Sequence, residues 1–563
     1  MTDINTLMII DEDAESDASS VTLDFEGNNE DDLGTDEVLE VLREDWLQSL
    51  RAARSTPAPS LWSQDGKYLE EACCDDGIVV KPGQTVELHD DTYLRICHIW
   101  EDPTGEIFLQ GRRLDKLRPR ASDFNHRNGL HLPQWKNEVV WKAYDTENVL
   151  LGFVRRFVTV HFTNNCHVKQ DPQRAKYPRS LFCRLKEDTQ VDSNSFSVEY
   201  LTHDEADAEF CTSPATLRRC WRGETAPFGS EEADIQPPVI VLDNAEESEQ
   251  SDLGSGKRMR RKYTFGDGFC GAGGVSCGAD MAGLHPKWAF DICPQAAATY
   301  RLNFATSVCE ESDIFSFLAN NEKFLRVDIT HGSPPCQTFS PAKTRASAND
   351  DANSACIFSC GDLIRKAKPR VHTMEETSGL IDRHQEYFRS VVRDFIESGY
   401  SVRWAILICK EHGVPQKRKR LVVIASGPGE TLPAMPKPTH GPPGSGLPEF
   451  PTINQAISNI PPGASHHDVE NRRVLSKPPY DGNRQAGTIT CNGGEDYHPS
   501  GKRTFTSREI ACLQTFPMEF RFKRNATKQI GNAVPPVLAK AIHEEVVRSL
   551  RETDEREAMV GKS

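Results

Sequence analysis

The chain has 563 residues, with 83 Asp and Glu against 66 Lys and Arg and a net charge of −17. That length exceeds what one hydrophobic core ordinarily organises, so a catalytic-sized domain with accessory modules is expected. No run approaches the ~20 apolar residues of a membrane helix, Met1-Thr2-Asp3 opens no secretory leader, and 17 cysteines without a CxxC pair or regular His/Cys spacing signal neither zinc nor disulfides. The expectation is a soluble, intracellular protein with reduced thiols, no metal and no membrane contact.

In chain order, residues 1–65 read as an acidic tail. About fifteen carboxylates fall within its first ~45 residues against almost no basic residue, a composition that stays solvated and disordered. The acidity is local, so the bulk charge does not exclude a polyanionic partner for the rest of the chain. Within the tail, Val38, Leu39, Val41, Leu42, Trp46, Leu47 and Leu50 predict a short amphipathic helix over residues 36–53.

Residues 66–222 change pattern. Short alternating runs at 85–88, 93–96, 107–110, 154–160 and 181–185, broken by Gly, Asp and Pro, predict an all-β, barrel-like module. Residues 223–262 then combine Pro, Ser and an acidic stretch and read as a linker. It ends in Lys257-Arg258-Met259-Arg260-Arg261-Lys262, which is a nuclear-import signal, a phosphate contact or a solvated linker end; import is the preferred reading.

From 263 to 553 strand-like and helix-like segments alternate. Strands are predicted at 263–269, 288–292, 325–330, 370–374, 401–409 and 421–425, with helices at 354–366, 385–397 and 537–550. This predicts an α/β, Rossmann-like, doubly wound and mostly parallel sheet, whose ligands sit beyond the carboxyl ends of the strands. The first strand end carries Phe269-Cys270-Gly271-Ala272-Gly273-Gly274, a turn that either cradles a dinucleotide-like ligand or simply packs. Some ~20 residues on, Asp291 ends the next strand where an acid binds ribose hydroxyls. Ser333-Pro334-Pro335-Cys336-Gln337 presents a thiol on a proline-stiffened loop after a strand. Residues 427–502 are rich in Pro and Gly and lack periodicity.

The order of these segments, followed by Met374-Glu375-Glu376-Thr377, Gln416-Lys417-Arg418-Lys419-Arg420, Arg503 through Pro517 and Gln529-Ile530-Gly531-Asn532-Ala533-Val534, resembles the DNA cytosine-5 methyltransferases. The resemblance implies S-adenosyl-L-methionine as cofactor, with Phe269, Gly271, Gly273, Asp291, Asp313 and Asn532 at its site. It implies double-stranded DNA as substrate and a target-recognition region over about 427–502. It also implies that the last segment folds back beside the first strand to close the cofactor pocket, and that the protein works in the nucleus.

In the implied chemistry Cys336 attacks C6 of a flipped cytosine, Glu375 supplies the hydrogen bond or proton at N3, Arg420 holds the base carbonyl and Arg418 braces the site. Arg95 to Asp102, Gly111-Arg112-Arg113 and Asn137-Glu138-Val139 resemble a bromo-adjacent homology domain, which implies a chromatin or protein contact; a packing module without a ligand is the alternative. Where most relatives carry Glu-Asn-Val this chain has Glu375-Glu376-Thr377. Strand alternation turns Glu376 away from the base, and its charge is expected to raise the pKa of Glu375. With the β module, this departure resembles the fungal RID-type enzymes of repeat-induced silencing and sexual development. It also keeps open a catalytically weak, chromatin-bound scaffold of methyltransferase ancestry. Methylation of tRNA fits less well with the large N-terminal region.

Overall fold

The computed structural model describes residues 66–116, 137–166, 180–190, 195–223, 262–335 and 356–560. The predicted helix at 36–53, the linker with its basic run, and Cys336 lie outside the described residues.

The N-terminal strands are β1 (Lys67–Leu69), β2 (Ala72–Cys73), β3 (Val79–Val80), β4 (Thr85–Leu88), β5 (Tyr93–Glu101), β6 (Ile107–Lys116), β7 (Glu138–Leu150), β8 (Val154–Val158), β9 (Val160–Phe162), β10 (Leu181–Gln190) and β11 (Ser195–Tyr200). The single strand expected over 154–160 is thus two, β8 on β4 and β9 on β10. A helix, α1 (Pro214–Arg222), follows; its N-cap Ser213 accepts from Thr216 N, and Gly223 closes it at φ 79°. Val86, Leu94, Ile96, Ile99 and Leu109 make one apolar core of these strands, and Tyr93, Leu114, Val139, Phe162 and Cys183 another.

The C-terminal half contains β12 (Thr264–Gly268), α2 (Gly274–Met281), β13 (His285–Asp291), α3 (Pro294–Asn303), β14 (Val308–Glu311), α4 (Ile314–Phe317), α5 (Glu322–Leu325), β15 (Ile329–Gly332), α6 (Ser359–Ala367), β16 (Val371–Thr377), α7 (Gly379–Arg383), α8 (Gln385–Glu397), β17 (Ser401–Ile408), β18 (Lys419–Ser426), α9 (Ile453–Ile457), α10 (Ser507–Leu513), α11 (Ala526–Asn532) and α12 (Pro536–Val560). The order across the sheet is β14-β13-β12-β15-β16-β18-β17. The first five strands run parallel, and β18 lies antiparallel to both β16 and β17. Two strands outgrow their expected limits: β16 continues through Thr377 and β18 begins at Lys419, so Glu375 and Arg420 stand within strands.

Because the parallel strands are covered on both sides, their residues are buried whichever way they point. Phe265, Ile329, Val371, Val422 and Ile424 face a layer with Leu538, Ile542 and Val546 of α12. Met374, Leu421 and Val423 face Phe388, Val392 and Phe395 of α8. A third core, with Ile453, Ile489, Phe505, Ile510, Phe516 and Ile530, holds the loop-rich stretch 427–502 against α10 and α11.

The two halves are one sheet. β11 pairs antiparallel with β17, placing Ser195 opposite Ala405 and Val198 opposite Val402. Phe196 stacks on Trp404 at 6.0 Å, Arg403 Nη2 donates to Glu199 Oε1 at 2.9 Å, and Tyr200 Oη donates to Ile396 O at 2.7 Å.

Candidate active site

The parallel order reverses at β12, whose neighbours β13 and β15 lead in opposite directions; a doubly wound sheet opens a crevice there. Beyond β12 the chain turns through Phe269 at φ 57°, Gly271 at 53° and Gly273 at 90°. At Gly273 a Cβ would meet Phe304 at 2.5 Å, so glycine is required on conformation and space together. Asp291 fastens this turn: its Oδ2 accepts from Gly271 N and its Oδ1 from Cys293 N, both at 2.8 Å. Asp313 is half-buried at the N-cap of α4 and accepts from Phe315 N and Ser316 N at 2.9 and 3.0 Å.

Beside these two carboxylates, Ile292 is 49% exposed and Phe315 61% exposed. Exposed apolar side chains flanking acids at strand ends suit a flat, ribose-bearing heterocycle. The residues present therefore fit a nucleoside cofactor.

The last segment lies over the first helix. A Cβ at Gly274 would meet Val534 O and one at Gly278 would meet Pro536 O, each at 2.4 Å, so the glycines let α2 and the chain entering α12 touch backbone to backbone. Asn532 stands exposed at the end of α11, its Oδ1 accepting from Cys491 Sγ at 2.7 Å.

At the other side of the crevice, Ser333 N donates to Gly268 O at 3.3 Å and leads through Pro334 and Pro335 toward Cys336. Glu375 and Arg420 share one face of β16 and β18, with Arg420 Nε 2.5 Å from Glu375 Oε1. Beyond that ion pair Glu375 Oε1 is buried and accepts no hydrogen bond from any described residue. Arg418 Nη1 reaches back to Ile489 O at 3.0 Å and Gly531 O at 3.2 Å. Gln416 extends this seam: its amide donates to Gln514 Oε1 at 2.7 Å while its Oε1 accepts from Ile489 N at 2.9 Å.

Glu376 is fully buried on the opposite face of β16, with Oε2 accepting from Thr377 N at 3.1 Å. Burial first, and the neighbouring Glu375 charge second, push its carboxyl well above the usual range.

Beneath the glycine turn lies a buried hydrogen-bonded group whose mutual contacts the sequence spacing does not mark. Asp267 on β12 is fully buried; Ser276 Oγ donates to its Oδ2 at 2.6 Å and lies 2.9 Å from Tyr300 Oη. Desolvation pushes Asp267 up to about 7. Only its place in the Asp267-Gly268-Phe269 strand end could have drawn attention to it. Among the described residues no cluster of His, Cys, Asp or Glu is arranged to hold a metal, and no helix is long and apolar enough to cross a membrane.

Sheet order, glycine turn and paired carboxylates define the nucleoside-cofactor class of doubly wound folds. The sequence profile of the C-5 cytosine-specific DNA methylases matches residues 263–476 and 452–548, and the chain belongs to that family. It is 29% identical over 323 residues to the type II methyltransferase M1.HphI of Haemophilus parahaemolyticus, covering 51% of this chain and 87% of that one. It is 31% identical over 322 residues to the type II methyltransferase M.NgoFVII of Neisseria gonorrhoeae, covering 49% and 84%. To M.Sau96I of Staphylococcus aureus it is 30% identical over 342 residues, covering 53% and 79%. The protein is thus a DNA cytosine-5 methyltransferase by family, with S-adenosyl-L-methionine as its cofactor.

Proposed function

We propose that this chain methylates C5 of a flipped cytosine in double-stranded DNA through a covalent Cys336 intermediate. The observation that carries the reading is the buried Glu375 Oε1, ion-paired to Arg420 and accepting no hydrogen bond from any described residue, on the strand beside the turn that precedes Cys336. C5 of cytosine is a poor nucleophile. Attack of the Cys336 thiolate on C6, with a proton or hydrogen bond from Glu375 at N3, turns the ring into an enamine whose C5 is nucleophilic. Arg420 holds the base carbonyl, and Arg418 keeps the 427–502 region, the proposed reader of DNA sequence, against α11. Bound S-adenosyl-L-methionine supplies the methyl group, with Phe269, Gly271, Gly273, Asp291, Asp313 and Asn532 as the residues that would hold it. Loss of the C5 proton and release of the cysteine restore aromaticity. A stacked base is out of reach of these groups, so flipping is required.

The biological reading is finer. The β-rich half with its bromo-adjacent homology-like stretch at Arg95 to Asp102, together with Glu376-Thr377 after the catalytic carboxylate, supports a nuclear, RID-type enzyme of repeat silencing and sexual development that contacts chromatin or protein through its N-terminal half. A scaffold role is the second reading, favoured by the second carboxylate at position 376.

Incubation with methyl-labelled S-adenosyl-L-methionine and DNA containing 5-fluorocytosine, which blocks loss of the C5 substituent, tests the mechanism. A labelled covalent adduct on the wild type and none on Cys336→Ala is expected. No adduct despite binding of cofactor and DNA favours the scaffold, with Glu376→Asn and Thr377→Val as the first reversions to try.

A further inference from the structure

His331 lies on β15 between Asp267 of β12 and Thr373 of β16 in register, with its ring only 4% exposed. Its Nδ1 is 2.9 Å from Thr373 Oγ1 and its Nε2 is 2.6 Å from Ser333 Oγ. One ring nitrogen donates and the other accepts, whichever tautomer is present, and each hydroxyl rotates to match. Burial, with the nearby rings of His543 and His372, holds the imidazole well below its ordinary pKa, so it stays neutral and keeps one donor and one acceptor.

The two hydroxyls belong to different parts of the site. Thr373 shares a face of β16 with Glu375 two residues on, and Ser333 begins the Ser-Pro-Pro turn three residues before Cys336. Among the described residues, the other hydrogen bond at Ser333 is from its N–H to Gly268 O. A planar ring with polar atoms at both ends sets a fixed spacing between the two.

We propose that His331 is a positioning residue, spacing the backbone that leads to Cys336 against the strand that carries Glu375. The role rests on the Cys336 mechanism proposed above. Small displacements of reacting groups are costly, about 10²-fold for an ångström, which is the scale such a spacer governs.

The test compares wild type, His331→Ala, His331→Gln, His331→Asn, Ser333→Ala and Cys336→Ala in two measurements. One is the rate of adduct formation on 5-fluorocytosine DNA with labelled S-adenosyl-L-methionine; the other is hydrogen exchange in the peptide covering Gly332 to Pro335. For His331→Ala, adduct formation is expected to slow about 10- to 100-fold. The KM for cofactor should stay within about twofold, because the cofactor-facing residues are untouched, and exchange at Ser333 should quicken. Gln, whose amide reaches the position of Nε2, should recover more than Asn, which reaches only Nδ1. Ser333→Ala guards against misfolding, since it removes the outer hydrogen bond alone, and should slow the adduct in the same direction. Equal adduct rates and equal exchange in wild type, His331→Ala and Ser333→Ala overturn the proposal. If the wild type forms no adduct, the Cys336 mechanism fails, and exchange alone then upholds or overturns the holding role.

Discussion

Arg420 Nε stands 2.5 Å from Glu375 Oε1, an ion pair made diagonally across the β16–β18 ladder, in which Arg420 itself lies opposite Thr377. Both side chains are buried, so each charge depends on the other for solvation. Glu375→Gln preserves shape and removes the acid. Methyl transfer to DNA is expected to fall about 10²- to 10⁴-fold with cofactor affinity by calorimetry unchanged. Arg420→Ala leaves the carboxylate buried alone and should cost about 3–5 kcal/mol in chemical denaturation, while Arg420→Lys restores the charge without the planar fork and should recover only part.

Arg418 has a different task. Its Nη1 bridges Ile489 O and Gly531 O, two carbonyls from segments far apart in sequence. Removing it orphans both, and charge-assisted hydrogen bonds of this kind contribute about 1.5–3 kcal/mol. Arg418→Ala is expected to lower stability by that amount and to loosen residues 427–502 first. Limited proteolysis should then cut within that stretch before the sheet unfolds, and a pattern identical to wild type would contradict the bracing role.

Asp267 makes stability depend on pH. Its carboxyl is pushed up to about 7 in the fold, chiefly by burial, against about 3.9 in an unfolded chain. Between those values the folded state holds the proton and the unfolded state has released it, so stability falls as pH rises from about 4 to about 7 and then levels. Asp267→Asn keeps an acceptor for Ser276 Oγ and cannot ionise. Melting profiles of the variant are expected to lose that slope and to lie above wild type beyond pH 7.

These sites differ in how far the sequence exposes them. The Gly271-Ala272-Gly273 turn and the acid ending the next strand were legible because backbone conformation and ribose chemistry restrict the residue types that serve there. The opposed faces of Glu375 and Glu376 follow from strand alternation alone. Strand lengths were not legible: β16 runs on through Thr377 and β18 starts at Lys419 because cross-strand pairing, which no local pattern reports, carries them past their apolar runs. His331 acts through Thr373, distant in sequence, so its spacing carries no mark of what it touches, and the bracing expected of Arg418 came without its partners Ile489 and Gly531.

The β11–β17 pairing was equally invisible, since it joins residues about two hundred positions apart, and it changes what the N-terminal half is for. β17 would otherwise be the edge of the catalytic sheet, with the backbone groups of Ser401–Ile408 open to any extended chain. β11 occupies that edge, Phe196 covers Trp404, and Arg403 finds its carboxylate in Glu199. A protein beginning at residue 262 is therefore expected to retain every residue of the proposed site and still to aggregate through the bared strand, whereas full-length protein stays monodisperse in light scattering. Ser197→Pro interrupts β11 itself, fixing φ and removing an N–H from a strand hydrogen-bonded on both sides, and should destabilise the full-length protein in chemical denaturation. A truncated protein as soluble and as active as the whole chain would show that the shared sheet is dispensable.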